Sequence, residues 1–140
     1  MGTVIRKTEL ASVERNGMGT LLIYCSPDQE LSDAAISINI LLAKMLAQIK
    51  PDRRAMRMER CLQEVLRELP ENPVLKEFDV MFNPAYEIDI LQIFISLRRS
   101  KPFRLIWPGT LIDGRLVYAE AGYRDHKIYD VNHYDVACVI

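Results

Sequence analysis

Between Gly19 and Gly109 the chain holds no glycine, and between Lys7 and Lys44 it holds no lysine. A phosphate-binding loop of the P-loop kind needs both. Its glycines let backbone N–H groups wrap the phosphates, and its lysine neutralises them. The apolar segment 21–25, stopped by Ser26-Pro27, is where such a loop would begin, and neither ingredient follows. Residues 28–35 are also too few to hold a loop and the helix behind it before the next apolar segment. Gly17 and Gly19 precede the strand and read as a turn.

Cysteine is sparse. Cys25, Cys61 and Cys138 are odd in number, far apart and without Cys-x-x-Cys spacing, which argues against a disulfide framework or zinc ribbon. Three unrelated thiols in a reducing compartment are expected. The two histidines, His126 and His133, lie near Asp125, Asp130 and Asp135, but metal ligands are usually closer and more regularly spaced. No metal is expected. Ser26, Ser32, Ser37, Ser96 and Ser100 lack a Gly-x-Ser-x-Gly elbow.

No apolar run approaches the ~20 residues a bilayer span requires. Residues 1–11 lack the apolar core of a signal peptide. Arg6 stands where a myristoylation signal has Ser or Thr. A cytoplasmic protein without membrane contact is expected. Eighteen basic and nineteen acidic residues leave a charge of −1, so the surface as a whole should not attract nucleic acid or membrane, although a local patch stays open.

What is present suits a globular fold. Hydrophobic residues make up 49% and charged residues 26%, so a chain of this length can form a core without metal or disulfide. One domain over residues 1–140 is expected, with residues 1–18 read as a flexible N-terminal arm. Residues 20–25 read as a buried strand, and residues 36–39 alternate as a short second one. Leu41, Leu42, Met45, Leu46 and Ile49 repeat at helical spacing until Pro51. Met58, Cys61, Leu62, Val65, Leu66 and Leu69 mark a second helix, closed by Pro70 and Pro73. Residues 74–82 read as a strand interrupted by charge. Residues 89–99 read as a buried helix with Asp89 as N-cap, and residues 103–107 as a strand. Asp113-Gly114 predicts a tight hairpin between Leu111-Ile112 and Arg115-Leu116-Val117-Tyr118. Residues 135–140 form a last strand. The fold class that follows is α/β: a mostly parallel sheet flanked by helices, with a C-terminal antiparallel hairpin.

Two groups of residues invite a chemical reading. Asp79 lies near a strand end, where metal-binding acids often occur; a solvated or capping acid is the alternative. Arg53, Arg54 and Arg57, with Lys50 and Arg60, gather at the start of the second helix, and Arg98, Arg99, Lys101 and Arg104 follow the third. Brought together by the fold, these could meet phosphates. An exposed face of mixed charge explains the first group equally well.

Several short motifs in order resemble BrxF, the small P-loop protein family of BREX type 3 phage-defence systems in bacteria. The matching stretch runs from about Ile36 to the C-terminus. Ile38-Asn39-Ile40-Leu41-Leu42-Ala43-Lys44-Met45-Leu46 is similar to the family's asparagine-bearing strand and leucine-rich helix. Val80-Met81-Phe82-Asn83-Pro84 is similar to the end of its acidic strand, and the segment from Asp89 to Arg99 to its arginine-ended helix. Trp107-Pro108-Gly109-Thr110, Asp113-Gly114 and Leu116-Val117-Tyr118-Ala119-Glu120 resemble its later turn, hairpin and strand, and Ala121-Gly122-Tyr123 continues where the family tends to have Pro-Gly-His.

Where the chain departs from the family, the chemistry changes. The phosphate loop and its helix are missing between Pro27 and Ile36. The acid that would hold magnesium falls near Lys76, with Asp79 the nearby carboxylate. Arg99 matches the family's arginine, which implies a nucleotide contact; a cation answering the helix dipole is the other reading. The resemblance implies a non-catalytic scaffold or regulatory subunit of a phage-defence complex. It would have no cofactor and would bind other proteins of that complex or a second copy of itself. Two alternatives stay open. One is a nucleotide-binding protein using Asp79, Arg99 and a partner's lysine; the other is a DNA-binding adaptor using Arg53, Arg54 and Arg57.

Overall fold

The computed structural model describes residues 2–10 and 20–140. Within them a six-stranded sheet runs in the order β1-β9-β2-β5-β4-β3, with every pairing parallel. Its strands are β1 (Thr3–Ile5), β2 (Leu21–Tyr24), β3 (Ile36–Ser37), β4 (Val74–Lys76), β5 (Arg104–Ile106) and β9 (Val136–Val139). A second, antiparallel sheet joins β6 (Thr110–Ile112), β7 (Arg115–Tyr118) and β8 (Lys127–Asp130). The helices are α1 (Gln29–Ala34), α2 (Asn39–Ala47), α3 (Arg54–Arg67) and α4 (Ile90–Arg98).

Side chains alternate across a strand, so a sheet covered on both faces needs apolar residues at every position. That is the pattern of β2 and β9, whose residues are all buried. Leu21, Ile23, Leu75, Leu105 and Cys138 face one layer, under α2, α3 and α4. Tyr24, Val74, Ile106 and Val139 face the other, with Ile5, Leu10, Ala35 and Leu31 of α1. Each fully buried Leu or Phe contributes roughly 1.5–3 kcal/mol by leaving water. The larger layer, with Phe78, Phe94, Phe103 and Leu62 all at 0% exposure, therefore dominates stability.

Local chemistry sets the ends of these elements. The Asp28 carboxylate accepts the Leu31 N–H at 2.8 Å and caps α1, and Asp89 accepts the Gln92 N–H at 3.1 Å and caps α4. Pro51 opens a 3-10 turn, Pro51–Arg53, that leads into α3. Along α3 the spacing of Met58, Cys61, Leu62, Val65 and Leu66 turns one stripe inward. Asp113 and Gly114 take φ values of 51° and 73°, the left-handed pair that a two-residue hairpin between β6 and β7 needs.

Four details differ from expectation. Thr3–Ile5 is an edge strand paired with β9 rather than part of a flexible arm, and a 3-10 turn, Lys7–Glu9, follows it; residues 11–19, with the turn read at Gly17 and Gly19, lie outside the described residues. Residues 28–35, where the phosphate loop and its helix were read as missing, hold the short capped helix α1. The strand read over 74–82 stops at Lys76 and continues as a 3-10 turn, Asp79–Phe82. Here the Asn39 side chain, at the start of α2, accepts the Val80 N–H at 2.8 Å and takes it from any ladder. Finally, β8 adds a third strand to the hairpin.

Candidate functional site

Open parallel sheets bind ligands beyond the carboxyl ends of their strands. Past β2, the Cys25 N–H donates to the Val139 carbonyl at 2.9 Å, and Pro27 has no N–H to offer. A phosphate resting on a helix N-terminus would lie where Asp28 already places a carboxylate. Past β4, Lys76 donates to the Ser32 carbonyl in α1 at 2.8 Å and lies 3.9 Å from Glu77. Ser37, ending β3, donates to the same Glu77 at 3.0 Å. The Lys76 ammonium thus ties α1 to the sheet.

Aromatic side chains fill the next part of this edge. Trp107, directly after β5, donates its backbone N–H to Tyr24 and its indole N–H to Val117, each at 3.0 Å. Its ring meets Phe82 and Tyr129 edge-on, with centroids 5.7 and 6.0 Å away. Tyr118 stacks on Phe82 with ring centroids 3.7 Å apart. Its hydroxyl donates to Asp79 at 2.8 Å, and Tyr134 donates likewise to Asp89. Burial, then these carboxylate bonds, raise both phenols above the usual tyrosine range. Burial chiefly pushes Tyr129 up to about 12. The tyrosines act as protonated struts that fasten the antiparallel sheet and the chain's end to residues 79–89.

Asp79 is therefore half-buried and engaged by Tyr118. Arg99 is exposed at the C-cap of α4. Because α4 leads into β5, its C-terminus lies beside the amino ends of the strands, whereas Asp79 follows the carboxyl end of β4. The two residues therefore lie beyond opposite ends of the strands. The basic groups are likewise apart. Arg54 donates from Nε to the Leu46 and Ile49 carbonyls at 2.8 and 3.0 Å, closing the end of α2, so only Arg53 and Arg57 of that trio point to solvent. Lys101 donates to the Leu66 and Leu69 carbonyls at the far end of α3. Arg104 donates to the Tyr24 hydroxyl on the other sheet face. The fourteen residues of α3, about 21 Å at 1.5 Å per residue, separate the two groups.

His126 contacts the Ala119 carbonyl through Nδ1, and His133 is exposed. Among the described residues no group of three His, Cys, Asp or Glu could hold a metal, and no helix is long and apolar enough to cross a membrane.

What the spacing of apolar residues did not single out is the outer face of α2. Its run Ile40-Leu41-Leu42-Ala43 is apolar on every side, so the core takes Leu42 and Leu46 while Ile40 stays 68% and Leu41 43% exposed. An unbroken apolar run longer than one helical face was the available signal. Beside it lies a shallow hollow of about 440 Å³ lined by Asn39, Ile40, Ala43, Asp79 and Val80. Such a surface suits contact with another apolar surface better than enclosure of a small molecule. No protein-family model, no curated protein and no solved structure matches this chain.

Proposed function

We propose that this chain is a non-catalytic scaffold or regulatory subunit of a bacterial phage-defence complex of the BREX kind, acting through protein–protein contact. The observation that carries this reading is the occupied carboxyl edge of the sheet. Asp28, Lys76 and the Trp107 cluster fill the places where a P-loop relative would clasp a triphosphate and its magnesium. The exposed apolar residues of α2 give the scaffold something to bind with. The nucleotide alternative is weakened by the separation of Asp79 from Arg99, and the DNA alternative by the engagement of Arg54.

Isothermal titration with ATP and magnesium tests the chemistry: no saturable heat is expected, and micromolar binding or measurable hydrolysis rejects the proposal. A phage challenge tests the setting. Deleting the gene should abolish protection in a host carrying the surrounding system, and an Arg99→Ala copy should restore it. Full protection without the gene would sink the assignment to defence.

A further inference from the structure

The cleft between α2 and α3 has an apolar floor and ends of opposite charge. It consists of two adjoining hollows of about 330 and 250 Å³ that share Met45 and Glu64. Leu41 and Met45 of α2 and Ile49 in the turn after it form its floor, with Arg57 and Arg60 at one end, Glu68 at the other and Glu64 between them. Among the described residues, Arg57, Arg60 and Glu68 make no ion pair within the chain, while Glu64 pairs with Arg67 at 3.2 Å. The apolar lining has no cover, and the charges along its wall have few partners.

The cleft is close to self-complementary along its length. Leu41 on α2 and Ile49 in the turn after it lie four residues either side of Met45. Arg57 and Arg60 lie on the N-terminal side of about the level of Leu62, and Glu64 and the C-cap residue Glu68 on its C-terminal side. A patch that maps onto its own complement under a half-turn is the requirement of a two-fold contact, where residue i meets j and j meets i. Resting on the reading of this chain as a binding scaffold, we infer that the cleft's occupant is a second copy, packed antiparallel across a two-fold axis near Met45. Met45 then meets its own symmetry mate, and Leu41 meets Ile49 of the second copy. Arg57 and Arg60 approach Glu68 and Glu64 of that copy. A heterologous partner would need no such mirror pattern. The contact runs along one fourteen-residue helix and its neighbour, at the small end of stable interfaces, so the dimer forms at micromolar concentration.

Sedimentation velocity of the full chain from about 1 to 200 µM tests this, with mass expected to rise from 16.1 kDa towards twice that value. Arg57→Glu alone and Glu68→Arg alone each set like charges opposite one another and should weaken association roughly tenfold or more. The double variant restores the pairing and the association. Both side chains are exposed, and circular dichroism of each variant verifies its fold. A chain that stays monomeric throughout, a dimer indifferent to the single changes, or a double variant without rescue overturns the inference. ATP titration is blind to this contact. Nucleotide binding would therefore reject the proposed function and leave the dimer standing, whereas a strict monomer would do the reverse.

Discussion

Lys76→Met removes the cation that stands at the carboxyl end of β4 and keeps most of the side chain's apolar stem. The structure sets the size of the effect. Lys76 donates a charge-assisted hydrogen bond of 2.8 Å to the Ser32 carbonyl, in the last turn of α1, where the helix supplies no basic residue of its own. A hydrogen bond involving a charged group is worth about 1.5–3 kcal/mol. The side chain is 24% exposed, so water recovers part of that loss. The ion pair with Glu77, 3.9 Å long and with the acid 58% exposed, adds little. The expected cost is about 1–2 kcal/mol, or roughly 2–8 °C in Tm for a chain of this size.

Urea unfolding reads the total, and hydrogen exchange reads the place. The Ser32 and Ala35 amides, bonded to Asp28 and Leu31, should lose protection before those of β2 do. A change within about 0.5 kcal/mol, as for an ordinary surface site, would refute the tether. Lys76→Asp carries the question to function. It breaks the same bond and sets an acid where a magnesium-binding residue would stand, yet Asp28 still occupies the helix N-terminus, so magnesium-ATP should not bind. If it binds, the occupied edge is not what excludes the nucleotide.

Alkaline pH should loosen the fold. Tyr129 is raised to about 12, chiefly by burial, and Tyr118 and Tyr134 are raised by burial and by their bonds to Asp79 and Asp89. The native state therefore holds protons that the unfolded chain releases near the ordinary tyrosine value of about 10. Their contribution is whole below that pH and is lost as pH climbs through the native values. Urea midpoints between about pH 8 and 11.5 should fall, with tyrosinate absorbance showing a late-titrating class; titration of all six tyrosines together near 10 would contradict the strut role. Gly109→Ala and Gly114→Ala should differ sharply. A Cβ at Gly109 would meet the Val117 carbonyl at 2.0 Å, so a loss of about 3 kcal/mol or more is expected in urea melts. At Gly114 there is open space and only the φ of +73° objects, a cost of about 1 kcal/mol. Equal losses would show that the hairpin does not close against Trp107 as described.

The elements legible in the sequence are those whose signal is local. The Asp113-Gly114 turn, the Asp89 cap and the continuous apolar strands each carry their cause within a few residues. Of the misread ones, α1 carried a local signal, the Asp28 cap, that its brevity hid, while the segment after β4 depends on a distant partner. Val80-Met81-Phe82 has strand composition, but Asn39, 41 positions earlier, takes the Val80 N–H and Glu77 turns the chain at φ 54°. In β8 only Tyr129 is buried, so Ile128 beside it obscures the alternation. The same division holds for the site. Lys76 was visible as a cation; its bond to Ser32, 44 positions away, was not. Asp79 was visible as an acid, while the Tyr118 hydroxyl that engages it lies 39 positions on.

Closing the carboxyl edge has a consequence for the rest of the surface. Residues that would otherwise frame a ligand, Trp107, Phe82 and Tyr118, are committed to one another and to the antiparallel sheet. Both sheet faces are also covered. Among the described residues, α2 is the helix that brings two adjacent large aliphatic side chains, Ile40 and Leu41, into water. The core uses Leu42 and Leu46, so lysine or glutamate at positions 40 and 41 would leave the packing intact and improve solubility. Folding therefore does not require those side chains to be apolar. Their chemistry has a use only if something covers them, and such cover begins beside the occupied edge, at the hollow Ile40 shares with Asp79 and Val80, and runs on to the helical face.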